Sequence, residues 1–373
     1  MHTLSNTCYE CLRAHFLSKR SNIDPFYQHV RSKIILHRAR NRTQPPSNIP
    51  FVPIKPTRSS RSAVTSVHEP PPSSSFTLTH SCSLPDPSPV TSVTFFRHSS
   101  SELITGDTNG QVYLICIFSD SLSYDRFSPF HRAPITATAI TSRNELLLTS
   151  ALDKTTVIWD VASRSPIKVV YFQYEPTTNV VLNPVNDNFA CLNFSAGITS
   201  LNTSTSVLKS VHKGKSTSNV TWTNCGIIFG NGNGDVVFIG FDRKFSNRAH
   251  IIPVGSRQAV VKQVGIIESD GKSFLITLTS DSFLKVYRLL LPNFRESFPI
   301  FSFKTNFKGF KCCRYQVIFF NSQNIVVKNF VNASFEEEEK IEVKGEIDDV
   351  TVSFDSNQMI VTTNKDQFFI FKK

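Results

Sequence analysis

The feature that most constrains this chain is a rhythm. Short runs of β-branched and aromatic residues, each closed by a polar turn, recur in triplets from about residue 90 to the end. The clearest triplet lies between His131 and Asp160, HRAPITATAITSRNELLLTSALDKTTVIWD. Apolar runs at Ile135–Ile140 and Glu145–Thr149 flank the turn Ser142-Arg143-Asn144. A second turn, Ala151-Leu152-Asp153-Lys154-Thr155, leads into Thr156–Trp159. Runs of that composition between Ser, Asn, Asp and Lys clusters read as antiparallel strands joined by hairpins.

Six further triplets can be placed, at 90–118, 178–208, 217–241, 259–291, roughly 307–335, and from Asp348 to Phe371. Their third strands centre on Tyr113, Trp159, Leu201, Val237, Tyr287, Val327 and Phe371. The mean step is about 43 residues, the period of four-stranded propeller blades. Asp107, Asp153 and Asp281 each stand six residues before an aromatic residue (Tyr113, Trp159, Tyr287), and Asn231–Gly234 repeats the turn chemistry of Asp107–Gly110. The triplet near 307–335 is degenerate. The last triplet stops after its third strand, while Phe76-Thr77-Leu78-Thr79-His80 precedes the first and has no other partner. Residues 76–84 are therefore expected to close the last blade, which removes an open sheet edge.

The run at 156–160 ends in Trp159-Asp160, and His131, Ser150, Asp153 and Trp159 fall where WD-repeat blades carry a hydrogen-bonded His–Ser–Asp–Trp set. The chain thus resembles the WD-repeat family. The expected fold is an all-β, seven-bladed WD-repeat β-propeller over 76–373, preceded by an α-helical extension and a disordered linker. A buried indole N–H needs an acceptor, and a chain of polar side chains can supply one while pinning a turn.

The formal net charge of +11 is unevenly placed: residues 1–62 hold 11 Lys/Arg against Glu10 and Asp24. That segment is +9, leaving +2 for the rest. Residues 1–43 read as a basic helical arm, with Leu4, Cys8, Leu12 and Phe16 on one stripe and Phe26, Val30, Ile34 and His37 continuing it after Asp24-Pro25. Lys19, Arg20, Arg31, Lys33, Arg38, Arg40 and Arg42 are its candidate import or phosphate-contact residues. Residues 44–75, rich in Pro and Ser, are expected to be a mobile linker. The arm's stripe has three readings: docking on the propeller or a partner, a two-part import signal at Lys19-Arg20 and Arg38–Arg42, and nucleic-acid contact through residues 1–62. Docking is the favoured one.

Catalytic signatures are missing: there is no G-x-S-x-G, Walker A, H-E-x-x-H or dinucleotide fingerprint. Gly230–Gly234 lacks the Gly-Lys-Ser/Thr of a phosphate loop and reads as a hairpin turn. Cys8-x-x-Cys11 with His15 and His2 lacks a second zinc knuckle and reads as one helix face. His131, Ser150 and Asp153 contain the residue types of a hydrolytic triad, but with Trp159 inside a blade they read as a structural network. Glu336–Glu339 reads as a solvated loop, with neutralisation of the arm as the alternative. No enzyme activity, cofactor or metal is expected. Eight cysteines scattered through apolar runs suit reduced thiols. No leader and no run of 18 apolar residues is found, so no membrane span is expected.

Three stretches point further. Phe26–Lys33 with Arg58–Arg61, then Asn183-Pro184-Val185-Asn186-Asp187-Asn188, then Gly230–Gly240 resemble, in that order, a nuclear adaptor branch of the WD-repeat family. The resemblance implies a non-enzymatic adaptor of transcriptional regulators and chromatin, binding proteins through propeller loops and N-terminal helices. An RNA- or chromatin-binding factor acting through the basic arm is the alternative. Nuclear location is expected, with cytoplasmic second.

Overall fold

The computed structural model describes residues 75–373 apart from 224–225, 241–248, 255–258, 270, 290–298, 314–315 and 332. The helical arm assigned to 1–43, with all seven of its candidate basic residues, and the linker assigned to 44–75, save its last residue, lie outside the described residues.

Seven antiparallel four-stranded sheets follow one another along the chain. Blade 1 comprises Val90–Phe95, Glu102–Asp107, Val112–Ile117 and Leu122–Arg126. Blade 2 comprises Ile135–Ile140, Leu146–Ala151, Thr155–Asp160 and Ser165–Tyr171. Blade 3 runs from Asn179–Leu182 through Phe189–Phe194 and Gly197–Asn202 to Leu208–Lys213. Blade 4 contains Thr221–Trp222, Gly226–Gly230, Asp235–Gly240 and Ala249–Pro253. Blade 5 contains Val261–Ser269, Lys272–Thr279, Phe283–Leu289 and Phe301–Lys304. Blade 6 is built from Gly309–Cys313, Gln316–Phe320, Asn324–Val331 and Ser334–Glu342. Blade 7 takes Ile347–Val352, Gln358–Thr363 and Gln367–Lys372 from the end of the chain and its fourth strand from Thr77–Ser83. That fourth strand pairs antiparallel with Gln367–Lys372, Leu78 opposite Phe371 and Ser83 opposite Gln367. The first strands touch in sequence, and that of blade 7 meets that of blade 1, so the ring is closed.

Burial follows strand position. The second strand of blade 4, Gly226–Gly230, is buried at every residue, whereas the fourth strand of blade 3, Leu208–Lys213, is mostly exposed. Inner strands are covered on both faces by neighbouring blades and need apolar side chains on both. The core therefore lies between blades. One cluster joins Ile104 and Val112 of blade 1 to Leu147, Val157 and Trp159 of blade 2. Another joins Phe274 and Ile276 of blade 5 to Phe310, Phe319 and Phe330 of blade 6.

Blade 6, degenerate in sequence, is a regular sheet. Aromatic packing fills it: Phe307 stacks on Phe319 at 4.8 Å, and Phe335 meets Phe319 edge-on at 5.3 Å, while Asn321 Oδ1 accepts the Gln323 and Asn324 N–H groups in its second-to-third-strand turn at 3.0 and 2.8 Å. The acidic run Glu336–Glu339 is not a loop, as expected from composition, but part of the strand Ser334–Glu342. An outermost strand exposes one edge to water, where charged residues are tolerated and discourage edge pairing.

Side chains in or just before the first strands also clasp neighbouring blades together. Thr94 Oγ1 donates to the Thr138 carbonyl at 2.8 Å, and the Thr138 N–H donates to Ser92 Oγ at 2.9 Å. Asn219 donates to the Val264 carbonyl at 3.0 Å and accepts the Val264 N–H at 2.9 Å. Gln263 does the same to both backbone groups of Phe310. An amide carries both donor and acceptor, so one side chain satisfies both backbone groups of one buried residue.

Blades 1 and 4 share a turn. In each, the side-chain oxygen of the first turn residue (Asp107 or Asn231) accepts N–H groups two and four residues on. Gly106 and Gly230 precede these turns, and the first strand of the next blade lies against them. A Cβ on Gly106 would meet Ile135 Cγ2 at 2.5 Å and Cβ at 2.7 Å. Gly106→Val should therefore cost about 1–3 kcal/mol by overpacking, read as a lowered urea midpoint. An unchanged midpoint would mean that blades 1 and 2 do not pack this closely.

Candidate functional site

The residues singled out in blade 2 form a connected circuit, but its members differ from the expected set. The His131 ring is fully covered, with Nδ1 3.1 Å from Asp153 Oδ2 and Nε2 2.7 Å from Thr149 Oγ1. The Trp159 indole N–H donates to Thr149 Oγ1 at 2.7 Å. Thr155 Oγ1 donates to the other Asp153 oxygen at 2.6 Å, and the Arg132 and Thr155 N–H groups add bonds of 3.0 Å to the carboxylate. Thr149, not Ser150, is the linking hydroxyl. Side chains alternate across a strand, so Thr149 shares the face of Leu147 and Trp159 toward blade 1. Ser150 falls on the opposite face and bonds Thr156 Oγ1 at 2.5 Å.

The bonds fix the proton positions. Asp153 stays ionised and can only accept, so Nδ1 carries the proton that faces it, and the neutral ring accepts at Nε2 from the Thr149 hydroxyl, which in turn accepts the Trp159 N–H. A second ring proton would leave Thr149 with two donors aimed at it and no acceptor. Burial pushes the His131 pKa down, and the charge and hydrogen bond of Asp153 only partly offset this. Burial would raise the Asp153 pKa, but the bonds from Thr155, the Arg132 N–H and His131 outweigh it and hold the carboxyl low. The folded imidazole thus lies below its ordinary value near 6.5. His131 favours the native state above that value, and the preference is lost as pH falls toward the folded pKa, because the unfolded chain takes the extra proton. Urea midpoints should therefore fall between about pH 7 and pH 5, and His131→Gln should make this limb shallower. Burial also lowers the His212 pKa, so part of the limb should persist. An identical slope in wild type and variant would refute the assignment.

The equal spacing of the three aspartates does not give equal places. Asp281 and Tyr287 sit in blade 5 as Asp153 and Trp159 sit in blade 2. Asp107 instead stands at a strand end, corresponding to Ala151. There it accepts Ser88 Oγ at 2.5 Å, while Tyr113 donates to Asp86 at 3.0 Å. Blade 1 therefore has its own brace, built from Asp86 and Ser88 in the segment before its first strand. No spacing rule drawn from blade 2 could have found it.

The blade 2 brace lies largely beneath the surface while Asp86 of the blade 1 brace is exposed, and among the surfaces open to a partner are the two turn faces. On the face of the second-to-third-strand turns, Leu152, Tyr171 and Tyr174 are exposed, Tyr174 to 82%. On the opposite face, Val185, Phe189 and Val207 of blade 3, Phe118 of blade 1 and Phe354 of blade 7 are exposed.

That second face also carries a pocket of about 410 Å³ between the first-to-second-strand turns of blades 7 and 1, lined by Arg97, His98, Ser99, Ser100, Phe354 and Asp355 among others. The Arg97 guanidinium carbon lies 4.3 Å from the centre of the Phe354 ring. The Arg97 backbone N–H is held by Asn144 Oδ1 of blade 2 at 2.9 Å. Asn144 adopts a left-handed φ of 60°, which suits a short amide side chain bonding locally. Burial pushes the Arg97 pKa down, and the charge of Asp187 in blade 3 pulls it back up. Asp187 is itself occupied by the Ser142 N–H and hydroxyl at 2.8 and 2.7 Å. Sequence reading missed Arg97, because one arginine in a turn carries no pattern until blades 7, 1 and 2 are folded together.

Among the described residues no group of three or more metal-ligating side chains converges, and no helix is long and apolar enough to cross a membrane. Among the described residues Cys82, Cys116, Cys191 and Cys312 stand as thiols outside any disulfide. Burial pushes the Cys191 pKa up to about 12, leaving it protonated and unreactive.

Seven radial four-stranded sheets, a closing strand supplied from before blade 1, and a His–Thr–Asp–Trp brace define a WD40-type seven-bladed β-propeller. Solved structures share this fold. The β-propeller domain of Cps50 (Swd1) from Myceliophteria thermophila matches with a TM-score of 0.66 and 12% identity, over 80% of this chain and all of that one. U3-55K matches with a TM-score of 0.64 and 9% identity, over 80% and 98% of the two chains. The RRP9 WD40 repeats match with a TM-score of 0.64 and 10% identity, over 80% and 99%. No family model and no curated protein sequence matches the chain.

Proposed function

We propose that this chain is a non-enzymatic protein–protein interaction scaffold, a nuclear adaptor in a transcription- or chromatin-related complex. One observation carries the reading: large apolar side chains stand exposed on both turn faces of a closed ring. Tyr171, Tyr174 and Val185 are 71%, 82% and 82% exposed, and exposed aromatic and aliphatic groups on a rigid frame are what partner surfaces bury. His131, Asp153 and Thr149 serve the fold, because each is engaged with the others beneath the surface. Support for the nuclear part comes from the sequence. Lys19-Arg20 and Arg38–Arg42 fit a two-part import signal, and the order of arm, linker and propeller segments resembles WD repeat-containing protein 13.

Affinity purification of the full chain from nuclear extract tests this. A defined set of proteins should co-purify, and it should shrink when Tyr171 and Tyr174, or Val185 and Phe189, are changed to serine. Exclusively cytoplasmic or organellar location would remove the nuclear assignment, and retention of no protein would remove the scaffold. The charge of residues 1–62 favours one second reading, an RNA- or chromatin-binding factor. Its binding should fall steeply with salt as phosphate contacts release counterions, and salt-insensitive binding would refute it.

A further inference from the structure

We propose that the pocket between blades 7 and 1 is a peptide-docking site whose anchor is Arg97, and that it takes an oxyanion, carboxylate or phosphate, carried on an extended segment of a partner protein. The inference rests on the scaffold reading and names the chemistry of one of its contacts.

Four observations converge. First, Arg97 Nε is shielded from solvent and has no hydrogen-bond partner, and the guanidinium makes no ion pair among the described residues. A shielded donor without an acceptor is costly, and Arg97 lines the pocket, so an oxyanion there meets the rest of the guanidinium rather than the covered Nε. Second, the residue is anchored at the pocket. Its guanidinium carbon lies 4.3 Å from the centre of the Phe354 ring, and Asn144 holds its backbone N–H. Third, the nearby carboxylates are taken. Asp355 accepts Ser353 Oγ at 2.5 Å, the Asn357 N–H at 3.1 Å and the Asn357 side-chain amide at 3.0 Å. Asp187 is held by Ser142. Asp187 still acts on Arg97 through its charge, but no carboxylate among the described residues bonds the guanidinium. Fourth, the surroundings suit a peptide. The exposed Phe118, Val185 and Phe354 on the same face offer apolar ground for flanking residues, while the Ser99 and Ser100 hydroxyls lining the pocket are engaged with Ser101 and Asp355.

A purely structural role at the junction of blades 7 and 1 would need only the cation–ring stack, which gives no reason for discrimination between ligands. The test therefore reads discrimination. The full chain is titrated with fluorescein-labelled peptide pools identical except for one central position, fixed as glutamate, phosphoserine or glutamine. Binding of one oxyanion pool at least tenfold tighter than the glutamine pool, and loss of that preference in Arg97→Gln with the melting temperature retained, is the expected result. Preference for phosphoserine assigns phosphate as the source, and preference for glutamate assigns carboxylate. Equal binding of all three pools, or a preference that survives Arg97→Gln, overturns the proposal. If that variant does not fold, inorganic phosphate is compared with chloride at matched ionic strength on the native chain: selective release of peptide by phosphate supports the site, and equal release overturns it. Capture of partners from extract with no oxyanion preference removes the pocket and leaves the scaffold. An oxyanion preference with no captured partner does the reverse.

Discussion

Trp159→Ala is expected to destabilise the propeller by about 3–5 kcal/mol, the range for truncating a large aromatic side chain in a packed core. Trp159 is 1% exposed and meets Phe127 edge-on at 5.6 Å and Phe130 at 6.4 Å. It sits in the cluster that joins blades 1 and 2, so the cavity would open between blades, where a sheet cannot relax without parting from its neighbour. The change also removes the donor to Thr149, but that loss is the smaller part. Trp159→Phe should retain most of the packing and cost less, separating the two contributions. Thermal and urea unfolding of the three proteins provides the comparison. A melting temperature unmoved by Trp159→Ala would contradict the placement of this residue between blades.

Removal of residues 1–83 should be more damaging still, whereas removal of 1–74 should leave the propeller folded. The first deletion takes away Thr77–Ser83, the fourth strand of blade 7, together with Phe76, which is 5% exposed and packs in the cluster shared by blades 6 and 7. It uncovers the strand Gln367–Lys372, whose four central residues are Phe368, Phe369, Ile370 and Phe371. An unpaired edge of that composition templates intermolecular pairing. The expected outcome is aggregation or large oligomers on size exclusion for the shorter protein and a monodisperse peak for the longer one. Monodisperse behaviour of both would show that the ring does not depend on this strand.

Much of the architecture was legible because a propeller repeats itself. Seven aromatic or aliphatic centres, from Tyr113 to Phe371, were enough to place every third strand. Blade 6 looked degenerate because Phe307, Phe319, Phe330 and Phe335 pack in three dimensions and its turn rests on Asn321 without the acid–aromatic spacing of other blades. The brace in blade 2 was legible in kind but not in its hydroxyl. Thr149 and Ser150 are adjacent, chemically alike and on opposite faces, so only strand register decides between them. The Asp107 spacing misled for a related reason: six residues between an acid and an aromatic do not fix where the turn lies. Arg97 was illegible altogether, because its significance depends on Asn144 and Phe354, brought beside it from two other blades.

The pairing that closes the ring also sets a timetable. Thr77 Oγ1 donates to the carbonyl of Lys372, a partner 295 positions later in the chain. At ribosomal rates of roughly 5–20 residues per second, the strand that completes blade 7 waits about 15–60 s for its partner to be made. During that interval Thr77–Ser83 is an unpaired strand beside blades that can assemble from local hairpins as they emerge. Such a chain has reason to meet a chaperone early, and its slowest folding step should be the last. The final pairing joins the two most distant strands, while every blade before it needs only its own neighbours.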